Sequence, residues 1–153
     1  MAKQSAGVLL YRFRQAAPEV FLVHPGGPFW AEKDAGAWSI PKGEAAPGED
    51  LLTRARREFA EETGFVLSGA FRPLAPIRQS GGKIVHAWAV EGDCDAAAIR
   101  SNSFELEWPP RSGGLRSFPE VDRAGWFALP LARDKINPAQ RALIDELERV
   151  LNG

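Results

Sequence analysis

The chain has 153 residues, a formal net charge of −1, 44% hydrophobic and 25% charged residues, and a single cysteine. That size suits one domain over residues 1–153 with a core of its own, and the near-zero charge speaks against the broad basic field that duplex nucleic acid or an RNA track requires. The lone Cys94 excludes an internal disulfide and a Cys-based zinc site, no apolar run approaches the ~20 residues needed to span a bilayer, and residues 1–13 lack a signal-peptide apolar segment; the expectation is a soluble protein of the reducing cytoplasm, monomer or homodimer.

In chain order, residues 5–13 and 19–24 read as two short strands around a turn at 15–18, an antiparallel or mixed pair. Residues 25–37, rich in Gly and Pro, form a long loop, and a loop of that length in a small domain is often functional. Residues 38–43, Trp-Ser-Ile-Pro-Lys-Gly, lead out of it. A helix follows. Pro47, Gly48, Glu49 and Asp50 open it, Gly64 closes it, and Leu51, Leu52, Ala55 and Phe59 share its apolar side. Residues 65–67 and 71–79 are extended, and a turn at 80–83 leads to a strand at 84–90, making a hairpin. Residues 91–101 are a loop with one helical turn. The alternation of residues 104–108 predicts a half-exposed strand stopped by Pro109 and Pro110, and the Gly- and Ser-rich residues 111–119 predict a mobile loop. A last strand covers 124–129. Asn137 and Pro138 cap a helix running to about residue 151, with Ala142, Leu143, Leu147 and Val150 inward. Helices on both sides of a mixed sheet imply a layered α/β architecture.

The chemistry concentrates at residues 43–65, GEAAPGEDLLTRARREFAEETGF, where Gly43, Glu49, Arg57, Glu58, Glu61, Glu62 and Gly64 stand at fixed offsets. Glu58, Glu61 and Glu62 are neighbours on one helix face, and Glu62 projects into the apolar stripe. A solvated face with Arg54–Glu58 and Arg57–Glu61 pairs would contribute ~0.3 kcal/mol per pair. Against it stand the poorer Arg-before-Glu orientation, carboxylates near a helix C-terminus, repulsion between neighbours and the desolvation of a partly buried acid. A divalent cation relieves all of these together, because Mg²⁺ takes a few carboxylates, water and substrate phosphates as ligands.

This stretch resembles the Nudix box, with Phe59 where the family usually has an aliphatic residue. The resemblance implies an α/β/α sandwich around a mixed sheet and a hydrolase that uses Mg²⁺ or Mn²⁺ to cleave a pyrophosphate bond, typically in a nucleoside diphosphate linked to another group. It also implies that Glu58 and Glu62 are principal metal ligands, that Glu61 shares the cluster or acts as base, and that the Gly43 carbonyl completes a coordination sphere. Arg57 reads as an orienting partner for Glu49 or a box glutamate. Lys42 is open between a phosphate contact and an exposed loop lysine, and Trp30, beside Phe29, between base stacking and packing. Trp88, Trp108 and Trp126 fall on strands and read as core or sheet surface. His86 reads as structural; His24 is ambiguous.

Family members often supply one more acid from outside the box. Glu105 and Glu107 share the wet face of a strand, so Glu120, in the loop before the strand that holds Trp126, is the preferred candidate. Residues 38–43 and 83–88 resemble segments of diadenosine polyphosphate hydrolases, which makes a dinucleoside polyphosphate or a nucleoside triphosphate the expected substrate. A binding or regulatory Nudix module is the alternative, though such modules commonly lose box glutamates. An isoprenoid diphosphate isomerase of the same fold would need a catalytic cysteine and a larger chain.

Overall fold

The computed structural model describes residues 3–153. Strands β1 (Gln4–Arg14) and β2 (Ala17–Pro25) pair antiparallel from Tyr11↔Val20 to Arg14↔Ala17. The expected turn shortens to Gln15 and Ala16, at φ 52° and 67°, the positive values a two-residue hairpin loop needs. Below Tyr11 the two strands part, and the segment after the long loop fills the gap. The Val23 N–H donates to the Ser39 carbonyl at 2.9 Å, the Val8 N–H to the Pro41 carbonyl at 3.1 Å, and β3 (Lys42–Glu44) pairs antiparallel with Ser5–Gly7 of β1. Residues 38–44 are thus a wedge driven into the opened hairpin.

On its other edge β1 runs parallel to β6 (Lys83–Glu91), which also pairs with β4 (Arg72–Pro73) and β5 (Ile77–Gln79), while β9 (Val121–Ala128) pairs with β2. The result is a mixed seven-stranded sheet. Alternation along β1 sends Ala6, Val8 and Leu10 to one face and Leu9 to the other. On the first face lies α1 (Leu51–Thr63), with Ala55 and Phe59 fully buried against β1 and Phe21. On the second lie α2 (Leu129–Lys135) and α3 (Arg141–Asn152), burying Leu143, Ile144 and Leu147 against Leu9, Leu22 and Val85. This is the α/β/α sandwich that the patterning predicts. No described helix is long and apolar enough to cross a membrane.

Several local expectations are corrected. Residues 65–67 form no strand; Phe65 and Leu67 pack beneath α1 instead. Residues 111–119 are not wholly a loop, because β8 (Leu115–Pro119) pairs with β7 (Ser103–Glu107) in a separate hairpin. Helix α2 was not expected, and α3 begins only after a 3₁₀ turn at Pro138–Gln140. Ala142 faces solvent, and Ile144 takes the inward position assigned to it.

Candidate active site

Asp50 caps α1, its Oδ2 accepting the Thr53 N–H at 3.0 Å, and Gly64 ends the helix. The cap sets the helix phase so that Glu58 turns inward, where it is 8% exposed. It lies flat against the wedge: a Cβ on Gly43 would stand 2.1 Å from the Glu58 carboxyl carbon, so any larger residue there must push the carboxyl aside. Arg54 pairs with Glu58 one turn back, and Arg57 Nε stands 4.0 Å from Glu61, so the two ion pairs of the solvated-face reading both exist.

They leave one acid without a counter-charge of its own. Glu62 is pushed up to about 9, first by burial, then by its hydrogen bond to Glu58 and that group's charge, with Lys42 opposing and Glu120 adding to the rise. Burial and the neighbouring Glu58 charge hold Glu62 toward its protonated form. The acid expected to turn inward from the helix stripe thus has a second carboxyl, Glu58, beside it.

Glu62 opens on a cleft of about 240 Å³. Its charged lining is Glu62, Lys42 and Glu120. Burial, followed by Lys83, lowers the Lys42 ammonium, while Glu62 and Glu58 pull it the other way, so it is not an exposed loop lysine. Glu120 is the single residue between β8 and β9, not a residue of a mobile loop. Its N–H donates to the Asn102 carbonyl at 2.8 Å and its carbonyl accepts the Gly26 N–H at 2.9 Å, so the backbone aims the side chain. Burial and the Glu58 charge raise its carboxyl.

Trp30, 40% exposed, lines the same cleft, with Lys33 Nζ 5.0 Å from its ring centre. Its neighbour Phe29 turns away to pack edge-on against Trp108. The loop that carries both is pinned by His24, wholly buried, with Nδ1 2.9 Å from Asp122 Oδ1 and Nε2 2.6 Å from the Lys33 carbonyl. His24 is thus structural, as is His86, whose Nε2 lies 2.6 Å from Gln4 Oε1.

Other candidates stand apart. Glu61 is exposed beside Arg57, and Arg57 itself donates to Glu49 Oε2 at 2.6 Å, the orienting contact expected of it. Glu105 and Glu107 sit on the exposed face of β7. The sequence reading missed an amide cluster in the cleft, formed by Ser39, Gln79 and Gln140. Gln140 stands among the first turns of a helix, where polar residues are ordinary, and only the fold brings it to the wedge.

The donor set fits a hard divalent cation. Among the described residues no three His, Cys, Asp or Glu side chains form a closed cage, but Mg²⁺ rarely uses one, preferring one or two carboxylates with water and phosphate oxygens. Glu62 on the cleft with Glu58 behind it is such an open donor set.

The sequence model of the NUDIX domain matches residues 1–147. Among solved structures, the chain is similar to the C. elegans Ap4A hydrolase in its binary complex, with 20% identity over 97% of this chain and 98% of that one and a TM-score of 0.69. The NUDIX domain of Shewanella oneidensis NrtR, complexed with ADP ribose, aligns at 17% identity and TM-score 0.68, covering 99% of this chain and 89% of that one. A mutT/nudix family protein from Listeria innocua aligns at 14% identity and TM-score 0.63, over 98% and 94% of the two chains. At these identities the structures speak for the fold, and the domain match speaks for the family. The chain belongs to the Nudix family of pyrophosphohydrolases.

Proposed function

We propose that this Nudix pyrophosphohydrolase is Mg²⁺- or Mn²⁺-dependent and cleaves the phosphoanhydride of a nucleoside diphosphate linked to another moiety, a dinucleoside polyphosphate or a nucleoside triphosphate. The observation that carries this reading is the Glu58–Glu62 pair, with Glu58 buried against Gly43 and Glu62 open to the cleft. Glu58 and Glu62, with the Gly43 carbonyl, would hold the cation, which when bound would supply charge neutralisation for the phosphates and a more acidic attacking water. Lys42 contacts a phosphate. Glu120, facing the pair, orients the water and takes its proton. Glu61 joins the cluster only by a rotamer change away from Arg57, and Arg57 serves by holding Glu49. Trp30 stacks on the base.

A panel of nucleotides assayed for the two cleavage products by chromatography, with and without Mg²⁺, tests the reading. Glu62→Gln, Glu58→Gln and Glu120→Gln are each expected to lose about a hundredfold or more in turnover with an unchanged circular dichroism spectrum. Full activity in excess chelator sinks the metal assignment. A second reading, a catalytically weak nucleotide-binding module, draws on Arg54, which already gives Glu58 a counter-charge without any metal. It predicts nucleotide binding with no cleavage of the bound nucleotide.

A further inference from the structure

Arg54 stands outside the fixed positions of the box, yet it is the side chain whose charge meets Glu58. One turn of α1 separates the two, and Arg54 Nη2 pairs with Glu58 Oε1. The other sides of that carboxylate are taken as well. A Cβ on Gly43 would stand 2.3 Å from Oε1 and 2.5 Å from Oε2, so the wedge backbone covers one face, and Glu62 is the hydrogen-bond partner. A divalent cation that takes Glu58 as a ligand therefore meets a guanidinium already on the same carboxylate. Two positive charges at one buried carboxylate repel each other, whichever oxygen each holds.

Arg54 also has somewhere to go. Its Nε is buried without a hydrogen-bond partner among the described residues, so the pairing with Glu58 leaves one donor of the fork unsatisfied. The side chain borders an open pocket formed with residues 44–49 and Arg57, which Glu58 does not line. There Glu49 Oε2 lies 4.0 Å from Arg54 Nη1, so a small turn of the guanidinium closes a hydrogen bond. Glu49 is fixed to receive it: Oε1 accepts the Ala46 N–H at 3.0 Å, and Oε2 accepts Arg57 Nη2 at 2.6 Å. A carboxylate has about four lone-pair sites, and these two bonds leave room for a second guanidinium.

We propose that Arg54 is an exchangeable counter-ion of the metal site, which neutralises Glu58 until a divalent cation binds and then hands its guanidinium to Glu49. Arg54 is thus a positioning residue that lowers the affinity of the site for the cation. The same exchange ties residues 44–49 more firmly to α1 once Glu58 is given up. The inference rests on Glu58 being a metal ligand, as the proposed function has it.

The test is titration of the full chain with Mn²⁺, free Mn²⁺ being followed by its electron paramagnetic resonance signal, so that turnover does not enter the readout. Arg54→Met keeps the length and removes the charge. It is expected to bind Mn²⁺ about five- to tenfold more tightly than the unaltered chain, the worth of one partly buried ion pair relieved. Arg54→Lys, which keeps the charge, should stay close to the unaltered chain. Glu49→Gln should weaken binding in the unaltered chain, where it takes away the acceptor for the displaced guanidinium, and weaken it less beside Arg54→Met. A purely structural Arg54 predicts the opposite sign, because its loss would loosen Glu58 and weaken Mn²⁺ binding. If Arg54→Met fails to fold, Arg54→Gln takes its place under the same expectations. Equal or weaker binding by the uncharged variant, an Arg54→Lys as tight as that variant, or an equal effect of Glu49→Gln in both backgrounds overturns the proposal. No Mn²⁺ binding by either the unaltered chain or the uncharged variant overturns the metal reading beneath it as well, whereas binding by both with one affinity overturns the role of Arg54 alone.

Discussion

Glu58, Glu61 and Glu62 carry the same functional group, yet burial gives each a different situation. Their helical spacing was legible, and so was the inward turn of Glu62. The deeper burial of Glu58 was not, because it depends on Gly43 arriving from the wedge. Trp30 lines the cleft while Phe29 leaves it, so the stacking reading is the one to test. Trp30→Ala should raise KM more than it lowers kcat, by roughly 1 to 3 kcal/mol of binding, measured with a purine substrate. Unchanged kinetics would return Trp30 to a packing role. Cys94 gives the clearest pH dependence. Burial, then the charge of Asp93, pushes its thiol up to about 11 from 9.0. A raised value favours the protonated folded form, so its stabilising contribution is present below the ordinary thiol value and is lost as pH rises toward 11. At pH 8 the folded thiol should be alkylated by iodoacetamide about a hundredfold more slowly than the urea-unfolded one. Equal rates would show the thiol to be free in the fold.

Among the elements, those with an apolar stripe or clean alternation declared themselves in the sequence: β1, β2, β6, β7, α1 and α3. Those that failed to do so lack that signal for physical reasons. Strand β8 is exposed along most of its length and follows a Gly-Gly pair, so neither burial nor propensity marks it. Helix α2 is seven residues long with a proline in its first turn, too short for a helical period to show. The box loop separates two uses of glycine. Gly43 has φ outside the left-handed region but no space, whereas Gly48 sits at φ 78° with nothing within 4 Å of a Cβ. Gly48→Ala should therefore cost stability alone, about 1 kcal/mol, through backbone strain. Gly43→Ala should displace Glu58 and remove most turnover. Thermal melts and steady-state rates on the two variants distinguish these costs; a Gly43→Ala enzyme of normal turnover would detach Glu58 from catalysis.

At the scale of the whole molecule, the sandwich was legible because each layer shows its buried face in sequence. The cleft was not, since it is assembled from segments far apart in the chain. Lys42, Glu62, Gln79, Glu120 and Gln140 come from the wedge, α1, β5, the β8–β9 junction and the turn before α3. The box glutamates could be read as a metal site from local spacing. The contact of Gln140 with the wedge could not, because Ile40 and Gln140 stand 100 positions apart.

The wedge between β1 and β2 also makes local breathing of the sheet report on the ligand. The amide of Val8, wholly buried, is bonded to Pro41, and those of Val23 and Ser39 are bonded across the gap to Ser39 and Val23. Their hydrogens exchange with solvent whenever the wedge lifts, without the sheet unfolding. The closed end of the hairpin, Tyr11 to Arg14, pairs directly with β2 and has no share in that opening. A nucleotide held by Lys42, a residue of the wedge, would bind only the seated wedge and so raise the opening free energy by mass action. Adding a nucleotide that the protein does not cleave should slow exchange at Val8, Val23 and Ser39 and leave Arg12 and Arg14 as they were. Uniform slowing of all five by NMR would mean that the hairpin opens as one unit.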